Sequence, residues 1–213
     1  LAGCAGPPDN TSAAPPGTGR VENEEQVPEP AETFDDLTGV ATEVALAPDF
    51  VETLGALGVT PGVTGDATLS GETLSFPITG GSVEYFEPAT QQNPPSLEGE
   101  VEHAGSGFTL TLSGGATIEL SDLFFDGDAL LGVVSLDGEI VGVDAVVFDL
   151  SIVTLDPLTL DPNGDAVLSD ISVLLSEDAA QVLNQAAGDV VLQNGLLIGS
   201  ATMTLRSAPD AAE

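Results

Sequence analysis

Residues 108–121 read FTLTLSGGATIELS, an alternation of apolar and polar residues that is broken once, at Gly114-Gly115. One parity on each side of the break is apolar: Phe108, Leu110 and Leu112 before it, Ile118 and Leu120 after it. A period of two is typical of a strand that packs one face on a core and leaves the other in water. Paired glycines allow a tight turn. The stretch therefore predicts two antiparallel strands joined by a turn.

The same alternation recurs through most of the chain. It is clear in residues 73–78 and 197–205, and glycine-containing breaks separate the segments: Gly80-Gly81, Asp126-Gly127, Asp137-Gly138 and Asn163-Gly164. We expect about eight to eleven short strands at this spacing. Residues 129–153 are apolar on both faces and predict a central hairpin buried on both sides. The fold class predicted is mostly β, an antiparallel sandwich or barrel.

Two segments carry a helical period instead. The first begins at Pro48-Asp49 and ends at Gly58, with Phe50, Val51, Leu54 and Leu57 as its apolar stripe. The second begins at Ser176 and ends at Gly188, with Ala179, Val182, Leu183 and Ala186 as its stripe. Proline and acidic residues suit a helix start, and glycine suits a helix end. We expect two short helices that cap the sheet structure.

The charge balance excludes several partners. The chain has 35 acidic residues, two arginines and no lysine, for a formal net charge of −33. A phosphate backbone would be repelled, so nucleic acid is excluded as a partner. The carboxylates of the protein also repel one another, and salt screens this repulsion. The composition therefore indicates either a halophilic protein or simply an acidic secreted one. Because Arg20 lies in a predicted tether, we expect the folded part to lack stabilising internal ion pairs.

The first four residues, Leu1-Ala2-Gly3-Cys4, resemble the lipobox of bacterial lipoproteins. The resemblance implies a signal peptide, acylation of Cys4 and an extracytoplasmic protein anchored to the bacterial cell membrane by its N-terminal lipid. Residues 5–32 are rich in Pro, Gly and Glu without a hydrophobic period and predict a disordered tether. A single β-rich domain would occupy residues 33–206, and residues 207–213 would form a disordered tail.

The folded region also resembles known β-proteins. Residues 76–83, 99–110 and 118–122 look like a group of secreted bacterial β-proteins without an assigned activity. More distantly, residues 101–105 (VEHAG) followed by residues 108–110 (FTL) are similar to the Gly-His-x-Gly…Leu strand of HtaA-type haem-uptake domains. Those domains are cell-surface β-rich modules that bind haem through a tyrosine.

Tyr85 and His103 are the sole tyrosine and the sole histidine of the chain. Residues 33–60, which correspond to the early segment that holds the family's ligating tyrosine, contain no tyrosine. The two lone residues are then the candidates for an axial haem ligand and its partner in an apolar cleft. The alternative is that His103 is a core imidazole satisfied by the backbone, and that Tyr85 lies at a sheet end with its hydroxyl in water.

Two acidic turns are candidate calcium sites. Hard oxygen ligands at alternating turn positions suit Ca²⁺, and this pattern occurs twice: Asp122, Asp126 and Asp128, then Asp161, Asn163 and Asp165. Neither run has the complete calcium loop with its terminal glutamate. The alternative is that these are solvated turn residues.

Enzymatic signatures are weak. No serine stands in a Gly-x-Ser-x-Gly elbow, and one histidine cannot build a His-rich metal centre. We therefore expect a lipid-anchored, non-catalytic domain with a structural or surface-interaction role, whose partner is a surface macromolecule or a small ligand. The alternative is a ligand-capture lipoprotein that binds haem. A carboxylate-dependent hydrolase is the third hypothesis, since many acids provide accidental pairs.

Overall fold

The computed structural model describes residues 29–38, 40–88, 95–153, 155–187 and 192–207. Cys4, nearly all of the predicted tether and most of the predicted tail lie outside these ranges. The described residues form thirteen strands and two helices. The strands are β1 (Glu32–Phe34), β2 (Ala41–Leu46), β3 (Thr60–Gly65), β4 (Thr68–Ser70), β5 (Thr73–Pro77), β6 (Gly80–Phe86), β7 (Ser96–Thr111), β8 (Thr117–Asp126), β9 (Ala129–Leu136), β10 (Glu139–Ser151), β11 (Thr159–Leu160), β12 (Ala166–Leu175) and β13 (Leu197–Leu205). The helices are α1 (Pro48–Leu57) and α2 (Glu177–Ala187).

All the described strands join one antiparallel sheet. Its order is β1-β6-β7-β8-β9-β10-β12-β13-β2-β5-β4, with β11 added to β12 and β3 added to β7. The sheet curls into a half-barrel around a single hydrophobic core, and the two helices lie against it. The predicted fold class, a mostly β antiparallel structure with two short helices, is confirmed.

The alternation in residues 108–121 sets the register of the two long strands. Phe108 lies opposite Leu120 and Leu110 opposite Ile118 across the β7–β8 pair. All four side chains are buried. A shift of one residue would move this apolar set to the solvent face, so burial fixes the pairing.

The two ends of the curled sheet meet at a corner formed by Ile78 and Thr79. β5 and β6 lie near opposite ends of the strand order, yet only these two residues separate them in the chain. The Ile78 amide donates to the Val40 carbonyl at 2.5 Å, and the Thr79 amide donates to the Glu102 carbonyl at 2.8 Å. Between β5 and β6 the backbone partner thus changes from Val40, the residue before β2, to Glu102 of β7 within two residues, which draws the sheet towards closure.

The segment before β2 bridges the same region. The Leu37 amide donates to the Gly81 carbonyl at 3.0 Å, and Leu37 also pairs with Ser207. Ser207 belongs to the predicted tail, so the ordered pairing reaches one residue beyond the predicted domain end. At the other boundary the Ala31 amide donates to the Tyr85 carbonyl at 2.8 Å, which places ordered chain before residue 33.

The β9–β10 hairpin is central in the sheet, as its apolar composition predicts, but it is not buried along its whole length. Val147 and Phe148 are buried in the inner half. Near the tip, Ile140 and Val143 are each 63% exposed and Val141 is 54% exposed. The prediction of burial on both sides is wrong there, because no other element in the described part of the chain covers the projecting tip.

Both helices begin where the sequence predicts. α1 starts at Pro48 and is closed by Gly58, whose φ of 65° is in the left-handed region that glycine tolerates. α2 follows Ser176, whose hydroxyl accepts a bond from the Ala179 amide at 3.1 Å and donates to the Val146 carbonyl at 2.6 Å. The predicted stop at Gly188 lies outside the described residues. Neither described helix is long and apolar enough to span a bilayer.

Candidate functional site

An apolar groove of about 910 Å³ lies between α2 and the sheet. Its floor is made of side chains from β7 to β10, with one residue each from α1 and β13. The floor comprises Phe108, Leu110, Ile118, Leu120, Val134, Val147, Phe148, Phe50 and Ile198. This volume falls in the range of small-molecule sites, which are mostly apolar with a few polar groups. The groove is the main candidate binding site of the described residues.

Helix α2 presents two kinds of side chain to the groove. Ala179, Val182 and Leu183 are half-buried and pack against the core. Asp178, Gln181 and Gln185 also line the groove, and all three are exposed. Their spacing of i, i+3 and i+7 puts them on one side of the helix. We call these three residues the polar rim.

Side-chain hydrogen bonds hold α2 near both ends. At its start, the Ser176 hydroxyl donates to the Val146 carbonyl of β10. Near its end, the Asn184 amide group donates to the Leu192 carbonyl at 2.7 Å and accepts from the Leu192 amide at 2.9 Å. These two bonds imitate a backbone pair and return the chain to the sheet before β13. The middle of α2 is thereby held above the groove floor.

His103 lies in a separate core cavity. It is 1% exposed, and its Nδ1 atom is 3.1 Å from the Pro77 carbonyl oxygen. A carbonyl only accepts, so Nδ1 carries the proton and Nε2 is the bare nitrogen. Burial lowers the pKa of His103, and the hydrogen bond to Pro77 opposes that effect in part. A neutral imidazole is the result.

The His103 cavity is small and distinct from the groove. It has a volume of about 40 Å³, and neither His103 Nε2 nor Thr42 Oγ1 has a hydrogen-bond partner among the described residues. Phe108, Phe148 and Ile198 line both this cavity and the groove. These three side chains form a wall that separates the imidazole from the groove.

Tyr85 lies elsewhere on the same face of the sheet. It is 3% exposed and pairs with Leu97 across β6 and β7. Its hydroxyl accepts a bond from the Leu158 amide at 3.4 Å, so it is not in open water. His103 is six residues beyond Leu97 on β7, which corresponds to about 20 Å along a strand. The structure does not bring the two candidate haem residues into one cleft.

The acidic turns do not assemble into a metal centre. Among the described ranges, no group of three or more His, Cys, Asp or Glu side chains is placed to hold a metal ion. Asp161 instead accepts from the Asn163 amide at 2.7 Å and the Asp165 amide at 2.9 Å, and such bonds hold the pKa of its carboxyl below the usual value. Of the six calcium candidates, Asp122 lies within β8 and Asp126 at its end, and the other four lie in turns or loops: Asp128, Asp161, Asn163 and Asp165.

The sequence suggests a calcium ion as the partner of Asp165, but in the structure its partner is an arginine. Its carboxylate accepts two bonds from the guanidinium of Arg206. The Asp165 side chain is 7% exposed and that of Arg206 is 49% exposed. The pair joins the end of β13 to the turn before β12. The expectation that the folded part lacks a stabilising ion pair is therefore wrong, because strand pairing brings these distant residues together.

Sequence reasoning identified α2 but missed the groove beneath it. The stripe of Ala179, Val182 and Leu183 predicts a helix face that packs on a core. It does not reveal that the helix is held above the sheet by Ser176 and Asn184. Asn184 was a recognisable signal, since a polar side chain beside an apolar stripe requires a partner when half-buried.

Comparison with known proteins gives a likeness of fold. No family model matches the chain, and no curated protein matches it. The C-terminal domain of HtaA from Corynebacterium glutamicum superposes with a TM-score of 0.52 at 17% identity, covering 81% of this chain and 100% of that domain. The heme-binding protein HtaB from the same organism superposes with a TM-score of 0.52 at 12% identity, covering 82% of this chain and 95% of HtaB. The distant similarity to HtaA-type domains is thereby supported at the level of the fold.

Proposed function

We propose that this protein is a non-catalytic capture domain that holds an apolar small molecule in the groove between α2 and the sheet. One observation carries the proposal: a groove of about 910 Å³ whose floor is formed by aromatic and aliphatic side chains. Burial of apolar ligand surface would supply the main driving force, at roughly 25 cal/mol per Å² of area removed from water. Ligand would enter from solvent past the exposed polar rim.

The lining of the groove favours binding over catalysis. Asp178 is the only titratable side chain among its lining residues, and the lining has no Ser, His, Cys or Tyr. Hydrolysis by paired carboxylates needs two acids on either side of the bond. The hydrolase hypothesis therefore finds no support in this groove. A purely structural module remains the competing hypothesis and predicts no saturable binding there.

Haem is the second candidate ligand, because the fold likeness is to HtaA and to the heme-binding protein HtaB. The volume and apolar floor suit a porphyrin ring. Haem iron in proteins is held by His, Cys, Met or Tyr, and the groove lining contains none of these. His103 lies behind the wall of Phe108, Phe148 and Ile198. As a ligated cofactor, haem does not fit this groove.

The first experiment is a fluorescence titration of the full chain with Nile red, an uncharged apolar dye. We expect a saturable increase in emission with one site per chain. Ala145→Phe should abolish it, because Ala145 lines the groove and a larger side chain would fill it. Ala129→Phe is the matched control, since Ala129 is equally half-buried but lies outside the groove lining. Absence of saturable binding, or loss in both variants alike, would contradict the proposal.

The haem hypothesis has its own test, a spectral titration with haemin beside iron-free protoporphyrin. If either porphyrin displaces the dye, we expect the two to do so equally and the haemin spectrum to be the same in Tyr85→Phe and His103→Gln. A Soret shift that disappears in one of these variants would instead assign that residue as the iron ligand. The protein would then be a haem-capture protein despite the groove's lining.

We also propose that Cys4 carries the lipid that anchors the protein on the outer side of the bacterial membrane. The resemblance of residues 1–4 to a lipobox supports this. The full chain has a formal net charge of −33 and would be repelled by anionic lipids, so the lipid would be the membrane contact. In cells, the wild-type protein should partition into detergent and Cys4→Ser into the aqueous phase. Equal partition of the two would contradict lipidation.

A further inference from the structure

The groove offers acceptors but no cation. Among the residues that line it, Asp178 is the only charged one, and the other polar side chains are amides of Gln181, Gln185 and Asn184. No Lys, Arg or His is among them. An anionic ligand group bound here would have no counter-charge, and an unpaired charge taken from water costs free energy.

Among the described residues outside the groove, the one Lys or Arg side chain is already paired. The chain contains no lysine, and of its two arginines Arg206 is engaged by Asp165. Arg20 lies outside the described residues. The formal net charge of −33 places the groove in a negative field, which concentrates cations and repels anions near the surface. Dianionic ligands such as porphyrins with two carboxylates are disfavoured by both effects.

The polar rim complements a positively charged nitrogen. Asp178, Gln181 and Gln185 each bring a side-chain oxygen to one edge of the groove, along one side of α2. An ammonium group is a pure donor with three N–H bonds, and carboxylate and amide oxygens accept them. An apolar body on the floor and a cationic head at the rim would satisfy both parts of the site.

Resting on the proposed capture function, we propose that the groove selects a cationic amphiphile, a molecule with an aliphatic or aromatic body and an ammonium head. The body packs on the floor around Phe108, Leu120 and Phe148. The head lies at the polar rim, nearest Asp178. Neutral apolar molecules bind more weakly in this site, and anionic ones most weakly.

The test uses three probes with the same dodecyl chain: dodecylammonium, dodecanol and dodecanoate. Each is titrated against Nile red bound to the full chain at neutral pH and low ionic strength, with dodecylammonium and dodecanoate below their micelle concentrations and dodecanol below its solubility limit. We expect the affinities to fall in that order. Asp178→Asn should weaken dodecylammonium about two- to five-fold, the range of an exposed ion pair, and leave dodecanol unchanged.

Two variants separate contact from overall charge. Glu177→Gln removes the same charge from the neighbouring exposed residue, which does not line the groove, so it should affect dodecylammonium less than Asp178→Asn does. Gln181→Glu adds a carboxylate at the rim and should strengthen dodecylammonium. Equal effects of Asp178→Asn and Glu177→Gln would overturn the assignment of the head to the rim.

The outcomes also separate this inference from the function on which it rests. If all three probes bind with one affinity, or dodecanoate binds best, the charge preference is refuted and apolar capture stands. If neither Nile red nor dodecanol binds, the capture function itself fails and this inference fails with it.

Discussion

The Nδ1–H group of His103 donates to the carbonyl oxygen of Pro77 at 3.1 Å, and this bond joins β7 to the corner where the chain passes from β5 to β6. The imidazole therefore belongs to the set of hydrogen bonds at this corner that bring the two ends of the sheet together. Its Nε2 atom is buried without a hydrogen-bond partner among the described residues, and the cavity that His103 lines has no charged side chain. Protonation there would place an unpaired positive charge in the core.

The first prediction is that the free energy of unfolding falls as the pH drops below 6.5, the ordinary pKa of histidine. Burial lowers the pKa of His103 in the folded protein. Between that lowered pKa and 6.5, the unfolded chain binds a proton that the folded chain does not, so stability is complete above 6.5 and is lost on acidification. One proton gives at most about 1.4 kcal/mol per pH unit.

Urea unfolding between about pH 5.5 and 7.5, a range that brackets this transition, measures the effect. His103→Gln should flatten the dependence, because His103 is the only histidine. A wild-type slope that persists in the variant would show that another group is responsible.

The second prediction concerns salt. With 35 acidic residues and two arginines, repulsion destabilises the folded state at low ionic strength. The Debye length shortens from about 10 Å at 0.1 M to about 3 Å at 1 M salt, so NaCl should raise the melting temperature. For a domain of this size, each kcal/mol added to the free energy of unfolding raises the melting temperature by roughly 2–4 °C. Scanning calorimetry in low and molar NaCl tests this, and an unchanged melting temperature would remove the halophilic interpretation.

The third prediction locates part of that repulsion. Glu100 lies directly opposite Asp126 on the neighbouring strand. Its pKa is raised by partial loss of water contact, then by the charges of Glu102 and Asp126. An acid with a raised folded pKa costs stability once the pH rises above that value.

Glu100→Gln should therefore raise the melting temperature slightly at neutral pH and low salt, and the gain should shrink in molar NaCl, because salt screens the repulsion from Glu102 and Asp126 but not the loss of water contact. Glu43→Gln is the matched control, because the cross-strand partners of Glu43 are Thr202 and Ser75 rather than carboxylates. A gain of the same size in the control would mean that net charge, not the local pair, is responsible.

The fourth prediction concerns the ion pair of Arg206 and Asp165. Arg206→Gln leaves a nearly buried carboxylate without its cation, so the urea midpoint should fall. Restoring neutrality with Asp165→Asn in the same chain should recover part of the loss, since the stranded charge is then gone. A double variant as unstable as the sum of the two single variants would show that the residues do not interact.

The fifth prediction is that the hydrogen bonds near the end of α2 affect ligand binding in the groove. Asn184→Ala removes both bonds to Leu192, each worth about 1 kcal/mol. We expect faster amide hydrogen exchange in α2 and weaker binding of Nile red, with little change in exchange of the core strands. If α2 remains equally protected and binding is unaltered, Asn184 does not position the helix.

Local pattern determined much of the fold. The period of two in residues 108–121 predicted which side chains face the core, because successive side chains of a strand point to opposite faces. The period of 3.6, with Pro48 and Ser176 as starts, predicted both helices for the same kind of local reason. These features depend on residues close in the chain, so a single sequence contains them.

Only the tertiary structure decided which residues that are distant in the chain lie close together. As the sole tyrosine and the sole histidine, Tyr85 and His103 were the candidates for one haem site. The register of β6 on β7 instead places them about 20 Å apart along the strand. Arg206 reaches Asp165 only because β13 pairs with β12. The groove lies between α2 and the sheet, and Ser176 and Asn184 bond the two ends of that helix to Val146 and Leu192. Periodicity tells which face of an element is apolar; which element covers that face depends on long-range pairing, and the local pattern does not encode it.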